Sequence, residues 1–311
     1  MLAIFLKTLP FFALIGLGYG AGRTRFFTEE ATAYLTKFVF YFALSAMLFR
    51  FSADLSLGAI WDWPFVWAYL WGSAIVYLIA TGVALLRWIS IEEAAVEAQC
   101  AVIGNVGFLG IPMLALLLGE PAIGPVMMVL AIDLIIFGSL IVILITGSRD
   151  GRMSLGILRT VGRGLLSNPM IVSISLGLAW SATGMDLPRP VLEFVDILGS
   201  AATPGALFAI GASLAYKSAE KIQVAGWLSF CKLVLHPMAV AFAALVMFDV
   251  EPYAAGVMIA AAALPVAGNV YILAQHYGVA PTRVSASILI STAVSVLTVS
   301  AVIAWVAPLT S

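Results

Sequence analysis

Charge is scarce in this chain of 311 residues. Only 10% of the residues are charged, with 15 Lys and Arg against 16 Asp and Glu. A soluble domain carries roughly 25% charged residues, so the composition excludes an ordinary soluble protein. The net charge of −1 also excludes the basic surface that nucleic-acid binding requires.

Cysteine and histidine are equally sparse, with two residues of each. Cys100 and Cys231 lie far apart in apolar segments and form neither a CxxC pair nor a metal-ligand spacing, so we interpret both as packing residues. No HExxH, P-loop or GxSxG motif occurs. The sequence therefore carries no enzyme signature, and we expect neither a metal nor a cofactor.

Hydrophobic residues make up 63% of the chain. A bilayer core about 30 Å thick needs about 20 apolar residues per helix, and the apolar stretches predict an all-α membrane protein with ten transmembrane helices. The predicted spans are 2–21, 29–50, 63–87, 93–119, 121–146, 167–184, 189–215, 222–248, 253–278 and 282–307.

Positive charge alternates between the connections of these spans. The odd connections carry ten cations, whereas the even connections carry two, Arg50 and Arg189. Because positively charged loops stay in the cytoplasm, we expect the odd connections there and both termini on the periplasmic side of the inner membrane. The ten cations are Arg23, Arg25, Arg87, Arg149, Arg152, Arg159, Arg163, Lys217, Lys221 and Arg283.

The longest polar stretch, 147–166, separates two halves of five spans each. An odd number of spans per half inverts the second half relative to the first. The predicted domains are therefore a first inverted repeat at 1–146, a cytoplasmic linker at 147–166 and a second inverted repeat at 167–311.

The fourth and ninth spans are interrupted in the same way. Residues 104–112 read GNVGFLGIP, and residues 264–271 read LPVAGNVY. Gly and Pro unwind a helix. The half-helix that starts after the break has a free N-terminus, which favours a carboxylate. The Asn side chain supplies hydrogen-bond donors and acceptors. Paired breaks are typical of a transporter substrate site, although Gly and Pro also serve close helix packing. The predicted substrate-binding residues are Asn105, Gly107, Gly110, Pro112, Pro265, Gly268, Asn269, Val270 and Tyr271.

Both interrupted segments resemble motifs of the auxin efflux carrier family, 105–112 that of the fourth helix and 264–274 that of the ninth. Residues 37–44, 199–211 and 232–237 resemble its second, seventh and eighth helices, so the resemblance covers essentially the whole chain. It implies two inverted five-helix repeats in which the broken helices 4 and 9 cross. It also implies a scaffold domain of helices 1, 2, 6 and 7, a transport domain of helices 3–5 and 8–10, and a homodimer.

The resemblance further implies a secondary transporter that moves a small organic anion by alternating access, and bacterial members are often assigned to dicarboxylates such as malate or malonate. Ser45 and Val270 stand where the family's second helix and the plant members' ninth helix have proline, which favours a bacterial relative over an auxin carrier. A sodium- or proton-coupled carrier of the related bile-acid type is the alternative. An intramembrane enzyme, a receptor and a channel are the other classes considered.

Three ionisable residues, Asp133, Lys232 and His236, lie well inside predicted spans. Ionisable residues at such depth are candidates for function. We expect Asp133 to pair with Lys232 or His236, either as a proton or substrate-charge relay or as a buried ion pair that holds the bundle together.

Hydroxyl residues on one face of the last span either join helices or line the polar interior behind the crossing. They are Ser287, Ser291, Ser295 and Thr298.

Overall fold

The computed structural model describes residues 2–55, 62–150, 155–216 and 222–310. Within these ranges the chain is helical, and its one extended pairing is an isolated bridge between Gly104 and Val266. Three cations used to predict the orientation, Arg152, Lys217 and Lys221, lie outside the described residues, as does part of the predicted linker.

We number the helices of the described residues in chain order. They are α1 Leu2–Arg23, α2 Glu29–Asp54, α3 Trp63–Leu86, α4 Ile91–Val102, α5 Val106–Leu118, α6 Glu120–Arg149, α7 Leu155–Leu166, α8 Pro169–Ser181, α9 Arg189–Leu214, α10 Ile222–Met247, α11 Pro252–Ala262, α12 Gly268–Tyr277 and α13 Pro281–Leu309.

Six of these helices are long and apolar enough to cross a membrane, namely α2, α3, α6, α9, α10 and α13. The pair α7 and α8 bends by 69° at its break and provides a seventh candidate if it forms a single span. The structure thus confirms a helical protein with several apolar spans. The count of ten spans and the inverted repeat stay predictions.

Side-chain caps fix the starts of the two helices that lead into the breaks. Ser90 Oγ accepts the Glu93 amide at 3.2 Å before α4. Glu251 accepts the amides of Tyr253 and Ala254 at 3.0 and 2.8 Å before α11. Such caps satisfy amides that a helix leaves without partners at its N-terminus, so both helices begin at defined residues.

Several of the helices contain a wider π-helical turn. These turns are Val39–Ala43, Val106–Gly110, Asp133–Phe137, Cys231–Leu235 and Ala243–Met247. Such turns inside helices frequently occur at functional sites. One of them follows the first break, and two others contain the intramembrane charges Asp133 and Lys232.

The helices pack mainly in two groups. In one group α1 packs on α9, and α2 packs on α8 and α9. In the other group α3 packs on α4 and α10, α4 on α6, and α10 on α13.

Cys100 and Cys231 are buried and free, which confirms their interpretation as packing residues.

Candidate functional site

The two helix breaks are hydrogen-bonded to each other. The chain is extended between α4 and α5 and again between α11 and α12, and the two extended segments run antiparallel. The Asn105 amide donates to the Pro265 carbonyl at 2.8 Å, and the Ala267 amide donates to the Ile103 carbonyl at 3.1 Å. Each break therefore supplies partners for backbone groups that the other has freed, as a buried chain in a membrane requires.

Two glycines of the first break allow this close approach. A Cβ atom at Gly110 would lie 2.6 Å from Leu264 Cδ1, and one at Gly104 would lie 3.3 Å from Lys232 Cε and Nζ. The close approach of Gly110 to Leu264 brings the two breaks together, and the close approach of Gly104 to Lys232 lets this lysine reach the crossing. A serine of α13 completes the second break, because Ser291 Oγ accepts the Val266 amide at 3.1 Å.

The N-terminal end of α12 has free amides. Those of Gly268 and Asn269 have no acceptor among the described residues, and Asn269 Oδ1 is buried without a hydrogen-bond partner. The N-terminus of a helix carries a partial positive charge. Free amides and this charge together favour an anionic ligand.

A cavity of about 810 Å³ lies on one side of α12 and also contacts α2, α4, α6, α7 and α8. Three buried oxygens without a hydrogen-bond partner belong to residues that line it, namely Gln99 Oε1, Asp133 Oδ2 and Asn269 Oδ1. The Gln99 amide donates to the Phe137 carbonyl at 3.0 Å, which leaves its oxygen free. A buried acceptor without a donor is costly, so this cavity is the strongest candidate for a ligand site.

A second cavity, of about 420 Å³, lies on the other side of α12. Asn105, Gly268 and Tyr271 line this smaller cavity, whereas Asn269 and Val270 line the larger one. The two asparagines, both predicted to bind the substrate, are therefore divided between two cavities, and no hydrogen bond joins these two described side chains. The predicted residues that line neither cavity are Gly107, Gly110, Pro112 and Pro265.

The predicted intramembrane charges lie behind the crossing. Lys232 is fully buried, donates to the Ala262 carbonyl at the end of α11, and lies 3.1 Å from His236 Nδ1. A cation is favoured at a helix C-terminus. Asp133, 4% exposed, accepts a hydrogen bond from Tyr69 Oη at 2.9 Å. Lys232 and Asp133 interact electrostatically, but among the described side chains no direct ion pair joins Asp133 to Lys232 or His236.

Comparison with known proteins identifies the family. A family model described as "Membrane transport protein" matches residues 3–303. The chain belongs to this family. A curated protein of Rhizobium meliloti (strain 1021), named "Putative malonate transporter", is 30% identical over 295 residues, which cover 94% of this chain and 92% of that protein. The resemblance to the auxin efflux carriers is thereby confirmed, and both matches indicate a membrane transporter rather than an enzyme.

Sequence reasoning missed three polar residues of this membrane transport protein. Gln99 is an uncharged polar residue in an apolar span, as Asn105 is, and that signal could have identified it. Tyr69 and Ser73 are four positions apart on α3, as Lys232 and His236 are on α10. Side chains at this spacing share a helix face, but nothing in the sequence distinguishes Tyr69 from the other aromatic residues of its span.

Proposed function

We propose that this protein is a secondary transporter that moves a small organic anion, such as malonate or another dicarboxylate, across the inner membrane by alternating access. The observation that carries the proposal is the free N-terminal end of α12, which lies between two cavities and next to the bonded breaks. The name of the Rhizobium relative supports a dicarboxylate.

The larger cavity offers several groups for an anion. The free amides of α12 and its helix dipole would hold one carboxylate. Three exposed cations line the same cavity and would attract the anion or hold a second carboxylate. They are Lys37, Arg159 and Arg163.

The two packing groups support alternating access. The larger cavity lies between α2 and α8 of the first group and α4 and α6 of the second, together with α12. The smaller cavity lies between α2 and α9 on one side and α5, α12 and α13 on the other. We therefore assign the first group to the scaffold of a homodimer, whose termini are periplasmic, and the second to the moving domain.

Binding of malonate to the purified protein tests this proposal, with Asn269→Ala as the main variant. Loss of one hydrogen bond, donated by Asn269 Nδ2 to a carboxylate of the ligand, should weaken binding by about 1–3 kcal/mol. Asn105→Ala is the matched variant for the smaller cavity and should bind malonate almost normally. Isothermal calorimetry measures both affinities, and a thermal shift with malonate checks that each variant is folded.

The pair of variants also shows which cavity is used. A loss confined to Asn105→Ala would move the substrate to the smaller cavity. Normal binding by both variants would exclude the crossing as the substrate site.

A further inference from the structure

A chain of buried polar side chains connects the larger cavity to the rear of the crossing. Asp133 lines the cavity, and Tyr69 donates to its Oδ1 at 2.9 Å. Ser73, one turn further along α3, lies 2.9 Å from His236 Nε2. The ring of Tyr69 also packs against the His236 ring, with centroids 5.8 Å apart. His236 Nδ1 in turn lies 3.1 Å from Lys232 Nζ.

A charged Lys232 would set the direction of these hydrogen bonds. An ammonium group has donors only, so His236 Nδ1 accepts from Lys232 and the proton of the neutral imidazole lies on Nε2. Nε2 then donates to Ser73 Oγ, and Tyr69, whose ring contacts that of His236, donates to Asp133 Oδ1. At the cavity end of this relay, Asp133 Oδ2 is buried and has no hydrogen-bond partner among the described residues.

We propose that substrate transport is coupled to a proton, which binds at Asp133 Oδ2 and is released from it in each cycle. This inference rests on the proposed transport function and names its coupling ion. An O–H bond forms at Oδ2 and one breaks in a hydronium ion of the cavity, so no electron is transferred. Tyr69, Ser73 and His236 are positioning residues that connect Asp133 to Lys232.

Charge explains why a proton and an anion would move together. While Asp133 is ionised, it offsets Lys232 and repels a carboxylate in the same cavity. Once Asp133 is protonated, Lys232 remains as a buried positive charge behind the crossing and offsets one negative charge of the anion. A carrier without bound substrate would release the proton from Asp133, and a carrier with a bound anion would keep that proton.

The surroundings of Asp133 are consistent with a single proton-binding carboxyl. Tyr69 on α3 donates to it, Lys232 on α10 interacts with it electrostatically, and Gln99 on α4 lines the same cavity. In the described part of the chain no group of three or more His, Cys, Asp or Glu residues could hold a metal ion. The other titratable residues that line the cavity are Lys37, Tyr41, Arg159, Arg163, His276 and Tyr277.

Proteoliposomes that contain a pH-sensitive dye test the coupling with radiolabelled malonate. In the parent protein, malonate uptake should acidify the lumen, and an imposed pH gradient should drive accumulation. Asp133→Asn should lose both effects but keep the exchange of external for internal malonate, because exchange needs no net proton release. Tyr69→Phe should shift the pH dependence of uptake to higher pH, because the carboxylate loses the hydrogen bond that Tyr69 donates and holds the proton more tightly.

Tyr77→Phe is the matched control for Tyr69→Phe. Tyr77 lies two turns further along α3 and donates to the Ala95 carbonyl at 3.4 Å, outside the relay, so its variant should keep the parent pH profile. Proton-coupled uptake by Asp133→Asn would overturn the proposal. So would accumulation driven by a sodium gradient alone, or a folded Asp133→Asn protein that has lost exchange as well.

A substrate-independent measurement separates this inference from the proposed function. Infrared difference spectra of the purified protein on acidification should show a protonated-carboxyl band that is missing in Asp133→Asn. Identical spectra would overturn the proton site. If the parent protein exchanges no malonate, the substrate assignment fails while the infrared result still decides the role of Asp133.

Discussion

Two buried charge clusters in this transporter differ in how completely their charges are paired. Glu97, 1% exposed, holds two guanidinium groups. Arg283 Nη1 lies 2.5 Å from its Oε1, and Arg87 pairs with its Oε2. Arg283 also lies 3.6 Å from Glu93. Both Glu97 oxygens therefore face a cation, although Arg283 Nε is buried without a hydrogen-bond partner among the described residues.

Asp133 is buried almost as deeply, but among the described residues it accepts one hydrogen bond, and its Oδ2 is buried without a partner in a residue that lines a cavity. Its nearest buried cation, Lys232, is held by other groups. A fully paired buried charge contributes to the fold, whereas a partly paired one at a cavity is available to bind a ligand. We propose that the degree of pairing, more than burial, separates a structural charge from a functional one here.

We expect the largest effect from breaking the closed cluster with Arg283→Met. Removing one partner of a buried ion pair should lower the free energy of unfolding by about 3–5 kcal/mol. Arg189→Met is the matched control, because Arg189 pairs with Glu193 at the surface, and it should cost under about 1 kcal/mol. Unfolding of the purified protein in detergent measures both variants, and equal losses would contradict a structural role for Glu97 and Arg283.

A smaller effect is expected from Lys232→Met, which leaves Asp133 as a buried charge without its cation. We expect a loss of about 3 kcal/mol in unfolding free energy. Adding Asp133→Asn removes that charge and should restore about 0.5–3 kcal/mol. Lys37→Met, at an exposed cavity lysine, should leave stability unchanged. Strictly additive losses in the double variant would show that Asp133 and Lys232 do not interact.

The smallest effect on stability is expected from Asp133→Asn alone. The amide oxygen still accepts from Tyr69, and the Ala262 carbonyl still holds Lys232, so unfolding free energy should change by under about 1 kcal/mol. Glu97→Gln makes the same chemical change in the closed cluster and should cost about 3 kcal/mol. The measurement is again unfolding in detergent. Similar costs at the two positions would show that the clusters do not differ.

Local patterns in the sequence were enough to predict the helices and the two breaks. Apolar stretches predicted a helical membrane protein, and Gly104 and Pro265 indicated where helices are interrupted, whereas Pro112 lies inside α5. The family followed from motifs at those same breaks. These features depend on neighbouring residues, so a single sequence contains them.

Contacts between distant segments could not be predicted in the same way. The hydrogen bonds between the breaks, the division of Asn105 and Asn269 between two cavities, and the Tyr69 bond to Asp133 depend on how the helices are placed. The sequence placed Asp133, Lys232 and His236 inside the membrane but could not show that intermediate side chains connect them.

The pairing of the two breaks has a consequence for how the protein is made. The Asn105 amide emerges from the ribosome long before the Pro265 carbonyl that accepts its hydrogen bond. A contact between segments so far apart in the chain forms late in folding, and an unpaired amide at this depth is costly until then. The candidate site is therefore completed only after Pro265 has been synthesised, and a chain that stops before this residue would leave the Asn105 amide without its acceptor.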